Sequence, residues 1–113
     1  MGIMNFEQIR NSQMASLKDT VVEAMSGYAV KGLNGYSVLT TSPERDFLAV
    51  VSVANVRGQH VTTTSLIVHV QADKVIIECD INNKPLVDAL IQAGIPRSQI
   101  ILAYAGEPVP EAA

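Results

Sequence analysis

Lys74–Asp80 (KVIIECD), Asn83–Gly94 (NKPLVDALIQAG) and Ile95–Ala105 (IPRSQIILAYA) run as one nearly continuous block, and their reading decides the fold. Lys74–Cys79 is β-branched and apolar, as a strand is. Asp80–Asn83 is rich in helix-capping residues, and Pro85 stands where a first helical turn tolerates proline. Leu86, Val87, Leu90 and Ile91 then make the apolar stripe of a short helix that stops at Gly94, and Pro96 forbids its continuation. Gln99–Tyr104 is a final strand, and 106–113 is a proline-containing tail expected to be flexible.

Upstream of this block the period is two. Tyr36–Thr41 and Arg45–Asn55 read as strands separated by the break Thr41–Glu44 (TSPE). Arg57-Gly58 turns the chain into His60–Gln71 (HVTTTSLIVHVQ), and Ala72-Asp73 turns it again into Lys74. Connections this short imply an antiparallel meander of about four strands, since parallel pairs need a long crossover. Further upstream, Met14, Leu17, Val21, Met25 and Tyr28 follow one another at gaps of three and four, the stripe of a helix over about 11–28. Asn11 or Ser12 is the expected cap. Residues 1–10 are either a loose arm or an earlier turn of the helix. The order α-β-β-β-β-α-β is that of a single α+β domain with helices packed on an antiparallel-dominated sheet.

Bulk properties agree with this size and class. A chain of 113 residues holds one domain, and 48% apolar residues suffice for a core without metals or disulfides. Aromatics are only 4%, so branched aliphatics must fill that core. The net charge of −3 disfavours a broad nucleic-acid or membrane footprint, so direct DNA binding is not expected. The single cysteine, Cys79, forms no internal disulfide, and no signal-like start or membrane-length apolar run stands in the chain. These features read as a soluble, cytoplasmic protein.

Arg45–Asn55 departs from the alternation of a one-sided sheet. Phe47, Ala49, Val51 and Val53 point one way, and Leu48, Val50 and Ala54 the other. Apolar residues on both sides imply that both sides are covered. Either another subunit supplies the second cover, making a dimer or higher homo-oligomer, or the two helices lie on opposite faces. Leu48, Val50, Leu66, Val68 and Val70 are the candidate interaction face.

No catalytic motif stands in the sequence. His60 and His69 are nine residues apart on one strand, which places them on opposite faces and ~30 Å apart, too far to share a metal. Cys79 lacks a neighbouring cysteine or histidine and reads as a small buried hydrophobe. Glu78 and Asp80, at i and i+2, share a face, so His69, Glu78 and Asp80 form the candidate polar site, although Asp80 is equally a helix cap. No cofactor or metal site is expected, and the chain does not read as an enzyme.

From about Arg45 to Pro108 the chain resembles the XisI family, the fdxN-element excision controlling factors. The resemblance rests on Asp46, Lys74-Val75-Ile76-Ile77, Asp80, the helix around Leu86–Leu90, Gly94-Ile95-Pro96, Ile100-Ile101-Leu102 and Pro108. Ile76 stands where the family has a tryptophan, and Asn82-Asn83 where it has Thr-Glu. The resemblance implies a small, self-associating α+β protein that assists a site-specific DNA excision through a protein partner, XisH-like, while a separate recombinase performs the chemistry. An alternative is a small-molecule or nucleotide-binding domain with a site at a subunit interface.

Overall fold

The computed structural model describes residues 5–111. Its elements are α1 (Phe6–Ser26), β1 (Gly35–Thr41), β2 (Phe47–Val56), β3 (Gln59–Gln71), β4 (Lys74–Asp80), α2 (Leu86–Gln92) and β5 (Ile100–Leu102). The strands form one sheet in the order β1-β2-β3-β4-β5. The first four pair antiparallel, and β5 joins β4 in parallel after the crossover through α2. The expected meander is present, and so is the final strand, shortened because Ala103–Ala105 winds into a 3₁₀ turn.

Helix α1 starts earlier than the cap at Asn11 or Ser12 would allow. Asn5 is its cap, and a reciprocal box closes the first turn: Gln8 N–H donates to Asn5 Oδ1 at 2.8 Å, and Asn5 N–H to Gln8 Oε1 at 2.9 Å. The expected arm is therefore helical from Phe6, while 1–4 and the side chains of Asn11, Ser12 and Met14 lie outside the described residues. The rest of the predicted stripe holds: Val21 and Met25 are fully buried, with Leu17 and Tyr28 packed beside them.

Both helices cover the same face of the sheet. Val21 and Met25 of α1 and Leu86 and Leu90 of α2 join one cluster with Leu48, Val50, Leu66, Val68, Val70, Val75, Ile77 and Ile100. The opposite-face arrangement of the helices is thereby excluded. Tyr28 fastens the two helical layers together, its hydroxyl donating to the Lys84 carbonyl at 2.7 Å. The β1–β2 turn is tied to α1 by the Arg45–Asp19 ion pair and by Lys18 Nζ donating to the Glu44 carbonyl.

Two glycines are required by position. Gly35 lies so close to β2 that an added Cβ would collide with the Val53 carbonyl and reach within 2.8 Å of Ala54 Cα. Gly94 sits at φ +101°, and the next N–H, of Ile95, closes back on the Leu90 carbonyl at 3.0 Å, ending α2 as the sequence indicates.

Leu66 of β3 lies between β2 and β4, opposite Val50 and Asp80, within the helix-covered cluster, and is fully buried. Leu66→Ala leaves a cavity there and lowers stability by about 2–5 kcal/mol. Urea unfolding followed by circular dichroism measures this as a lower midpoint at an unchanged slope.

Candidate docking face

Two bulges decide where the polar candidates point. β3 carries an extra residue at Ser65, because Val50 pairs with Leu66 whereas Val51 pairs with Thr64. β4 carries one at Glu78, because Val68 pairs with Ile77 whereas Ile67 pairs with Cys79. A bulge reverses the side-chain alternation beyond it. His60 and His69 thus pair with Asn55 and Phe47, which are eight residues apart on β2 and lie on one face. The opposite-face expectation for the histidines is corrected, although they remain at distant points of the strand.

The same effect separates the three residues of the candidate polar site. Glu78 stays on the face away from the helices, where its Oε1 lies 3.5 Å from His69 Nε2. Phe47 stacks on the other side of His69, with ring centroids 6.3 Å apart. Asp80 returns to the helical side. Its Oδ2 accepts the Leu86 N–H at 2.8 Å, and its Oδ1 accepts the backbone and side-chain N–H groups of Asn82. Asp80 is therefore the cap of α2, acting from six residues upstream, with Pro85 at the N-cap position itself. Glu78 and Asp80 do not share a face, and the reason is the bulge between them.

The candidate interaction face needs the opposite correction. Leu48, Val50, Leu66 and Val68 are fully buried under the helices, and Val70 nearly so. They are core, joined in one cluster with Val21 and Met25 of α1 and Leu86 and Leu90 of α2. The face left open is the reverse one, bearing Tyr36 and Val38 of β1, Phe47, Ala49, Val51 and Val53 of β2, and Ile67 of β3. Tyr36, Val38 and Phe47 are 50%, 47% and 51% exposed. No helix of the described residues covers them.

Part of this reverse face is closed by the chain itself. After Leu102, Gly106 turns the backbone at φ +90°. Glu107 then accepts the Leu102 N–H through Oε1 at 2.9 Å and pairs with Arg97 through Oε2 at 2.6 Å. Farther on, Gln71 Nε2 donates to the carbonyls of Pro110 and Glu111. Gln71 projects from the reverse face, so the C-terminal segment crosses from β5 to β3 above β4. Ile76, which points to that face opposite His69, is fully buried. The segment that composition marks as a flexible tail is tied at both places.

Two carboxyls show the electrostatic consequences of these anchors. The Ser42 hydroxyl, donating to Asp46 Oδ1 at 2.6 Å, holds the Asp46 carboxyl below its ordinary range. The Leu102 N–H and then the Arg97 guanidinium do the same for Glu107. Burial raises the hydroxyls of Tyr28 and Tyr104, and Asp80 adds to both effects. Among the described residues no group of three or more His, Cys, Asp or Glu side chains converges as a metal site would. No described helix is long and apolar enough to cross a membrane.

The sequence profile of the family described as XisI protein matches residues 10–111. This small α+β chain, with a helix-backed sheet and an open reverse face, belongs to the XisI family. Two crystal structures from Anabaena variabilis share the fold. One is described as fdxN element excision controlling factor XisI: it is 24% identical, has a TM-score of 0.63, and the alignment covers 81% of this chain and 92% of that one. The other is described as a XisI-like protein: it is 16% identical, has a TM-score of 0.59, and the alignment covers 81% of this chain and 83% of that one. No protein of curated description matches the chain.

The residues that carry the family resemblance have structural duties here. Asp46 organises the β1–β2 turn, Asp80 caps α2, and Gly94-Ile95-Pro96 ends it. Glu107, which sequence reasoning left in the tail, is the residue it missed; no motif marks it.

Glu107→Gln keeps the size of the side chain and removes its charge. A carboxyl held below its ordinary range contributes stability above the unfolded-state pKa and loses it as pH falls through the folded-state pKa. The melting temperature of Glu107→Gln is therefore lower than wild type at neutral pH. The two curves converge in acid, below the ordinary glutamate range, as thermal melts across pH measure.

Proposed function

We propose that this chain is a non-enzymatic, cytoplasmic accessory protein that assists site-specific DNA excision by binding an XisH-like protein partner through the open reverse face of its sheet. The observation that carries this reading is the apolar strip Tyr36, Val38, Phe47, Val51 and Val53, which neither helix covers. An exposed aromatic and β-branched strip of this kind gains by burial against another protein, at about 25 cal/mol for each Å² of apolar surface removed from water. Membership of the XisI family supports the excision role, since a relative of the same fold is described as an excision controlling factor. The net charge of −3 supports assigning the DNA contact to the partner.

Co-expression with an XisH-like protein, followed by size-exclusion chromatography, tests the reading. The two proteins co-elute, and Phe47→Asp or Val38→Lys weakens the complex tenfold or more, as expected when a charge is forced into an apolar interface. A chain that never co-elutes with its partner sinks the proposal, as does a complex indifferent to both substitutions.

A second reading, a small-molecule or nucleotide site at a subunit interface, is favoured by the His69–Glu78 pair flanked by the Phe47 ring. Under that reading a bound metabolite raises the melting temperature by mass action, and His69→Ala abolishes the rise.

A further inference from the structure

Where β1 begins and the β2–β3 hairpin turns, the sheet ends in a cavity of about 430 Å³. Its outer wall is the loop Lys31–Asn34, which backbone hydrogen bonds hold in place. Ser37 N–H donates to the Val30 carbonyl at 2.7 Å, Gly32 N–H to the Gly35 carbonyl at 2.8 Å, and Asn55 N–H to the Asn34 carbonyl at 2.8 Å. Lys31 bridges to Tyr36, Tyr36 pairs with Val53, and Val53 with Thr62, so one row crosses the ribbon. Asn55 and His60 pair two residues nearer the turn. Paired residues share a face, so Lys31, Tyr36, Val53, Asn55 and His60 all stand on the reverse face and line the cavity there.

The charge at this end runs against that of the molecule. Residues 27–43 and 47–72 contain no aspartate or glutamate, yet they carry Lys31, Arg57, His60 and His69. With Lys31 and Arg57 set apart, the net charge of −3 becomes −5 on the rest of the chain. Arg57 occupies the hairpin turn at φ +52°, three residues before His60. Among the described residues the ion pairs are Arg45–Asp19, His69–Glu78 and Arg97–Glu107. Lys31, Arg57 and His60 take part in none of them, and all three are exposed.

Such a site suits carboxylates. The Lys31 ammonium and the His60 imidazole offer N–H donors, the Asn34 and Asn55 amides offer more, and no acidic side chain lines the cavity. A nucleic-acid strand fits less well. Its charges recur every few ångströms along its length, so beyond these three residues they meet a chain that bears −5. A short acidic peptide segment confines its charge to the cationic end. Tyr36, half exposed, belongs both to the cavity and to the apolar strip with Val38 and Phe47. A segment leaving the cavity therefore passes directly onto the docking face.

We propose that this cavity holds an acidic segment of the protein partner, with Lys31, Arg57 and His60 as its cationic contacts. The proposal deepens the partner-binding reading and rests on it, adding the charge that the partner carries beside its apolar contact. It also orients the complex: the segment is apolar over Val38 and Phe47 and acidic beyond Tyr36. Charges at the rim of an apolar interface act mainly on association rate and specificity, so the complex forms more slowly as salt rises.

Titration of the full-length, ¹⁵N-labelled protein with hexaglutamate, followed by NMR, tests the site. The amide signals of Gly32, Asn34, Asn55 and His60 shift, hexalysine leaves them in place, and the shifts vanish in about 1 M sodium chloride, where the Debye length is about 3 Å. The double variant Lys31→Glu, Arg57→Glu changes only exposed side chains, so its spectrum stays folded while the hexaglutamate shifts are lost. The same variant weakens the complex with the XisH-like protein about tenfold at low salt. Hexaglutamate shifts that are absent, or that persist in the double variant, overturn the proposal. A mixed-sequence single-stranded oligonucleotide that binds these residues more tightly than hexaglutamate also overturns it, assigning the end to nucleic acid. A complex that resists the double variant but breaks on Phe47→Asp overturns the acidic contact and leaves the docking face intact. Hexaglutamate binding without any XisH-like complex does the reverse: it supports the acidic site and sinks the partner reading.

Discussion

The pairing of β2 with β3 is the constraint on which the remaining structure rests. These are the two longest strands, and their register sets Leu48 and Val50 beside Val68 and Leu66 on one side. A slip of one residue would turn that strip outward and leave Val21, Met25, Leu86 and Leu90 without a surface to cover. Fully burying each of these aliphatic side chains contributes about 1.5–3 kcal/mol. The register is thus held by the helices as much as by the ladder. Once it is set, both helices must lie on the same face, and the reverse face is left to other means.

That reverse face is covered in two ways. Over β4 the chain returns on itself, anchored by Glu107 at one end and by Gln71 at the other, and Ile76 on this side of β4 is fully buried. Over β1 and β2 no other described element takes this place. The boundary between the covered and open areas runs near His69 and Phe47. His69 and Glu78, 3.5 Å apart, stand there, where an apolar platform gives way to a strapped one.

The bulges at Ser65 and Glu78 explain how a small sheet sends chemically similar residues to different tasks. One inserted residue leaves Glu78 beside His69 and sends Asp80 back to cap α2. The other brings His60 to the same face as His69. In both places the ladder twists and local pairing is lost, a usual consequence of a bulge.

Much of the fold was legible in the residues because its determinants are local. The change of period from 3.6 to 2, the turns at Arg57-Gly58 and Ala72-Asp73, and the stop at Gly94-Ile95-Pro96 all act within a few residues of themselves. The two-sided apolar character of Phe47–Ala54 was equally plain. What the residues could not reveal was which side the helices would choose, because Leu48 and Phe47 are both apolar and only docking against Val21 and Leu86 distinguishes them. The bulges were hidden too, since a single unpaired residue has no sequence signature on a β-branched strand. The candidate site shared that fate: the sequence placed His69, Glu78 and Asp80 on neighbouring strands, and register alone parted Asp80 from the others. Sequence by itself determined the order of elements and the presence of a spare apolar surface, through short-range backbone and side-chain preferences. Tertiary structure decided which surface is spare, because facing is a property of strand pairing and helix docking between residues far apart in the chain.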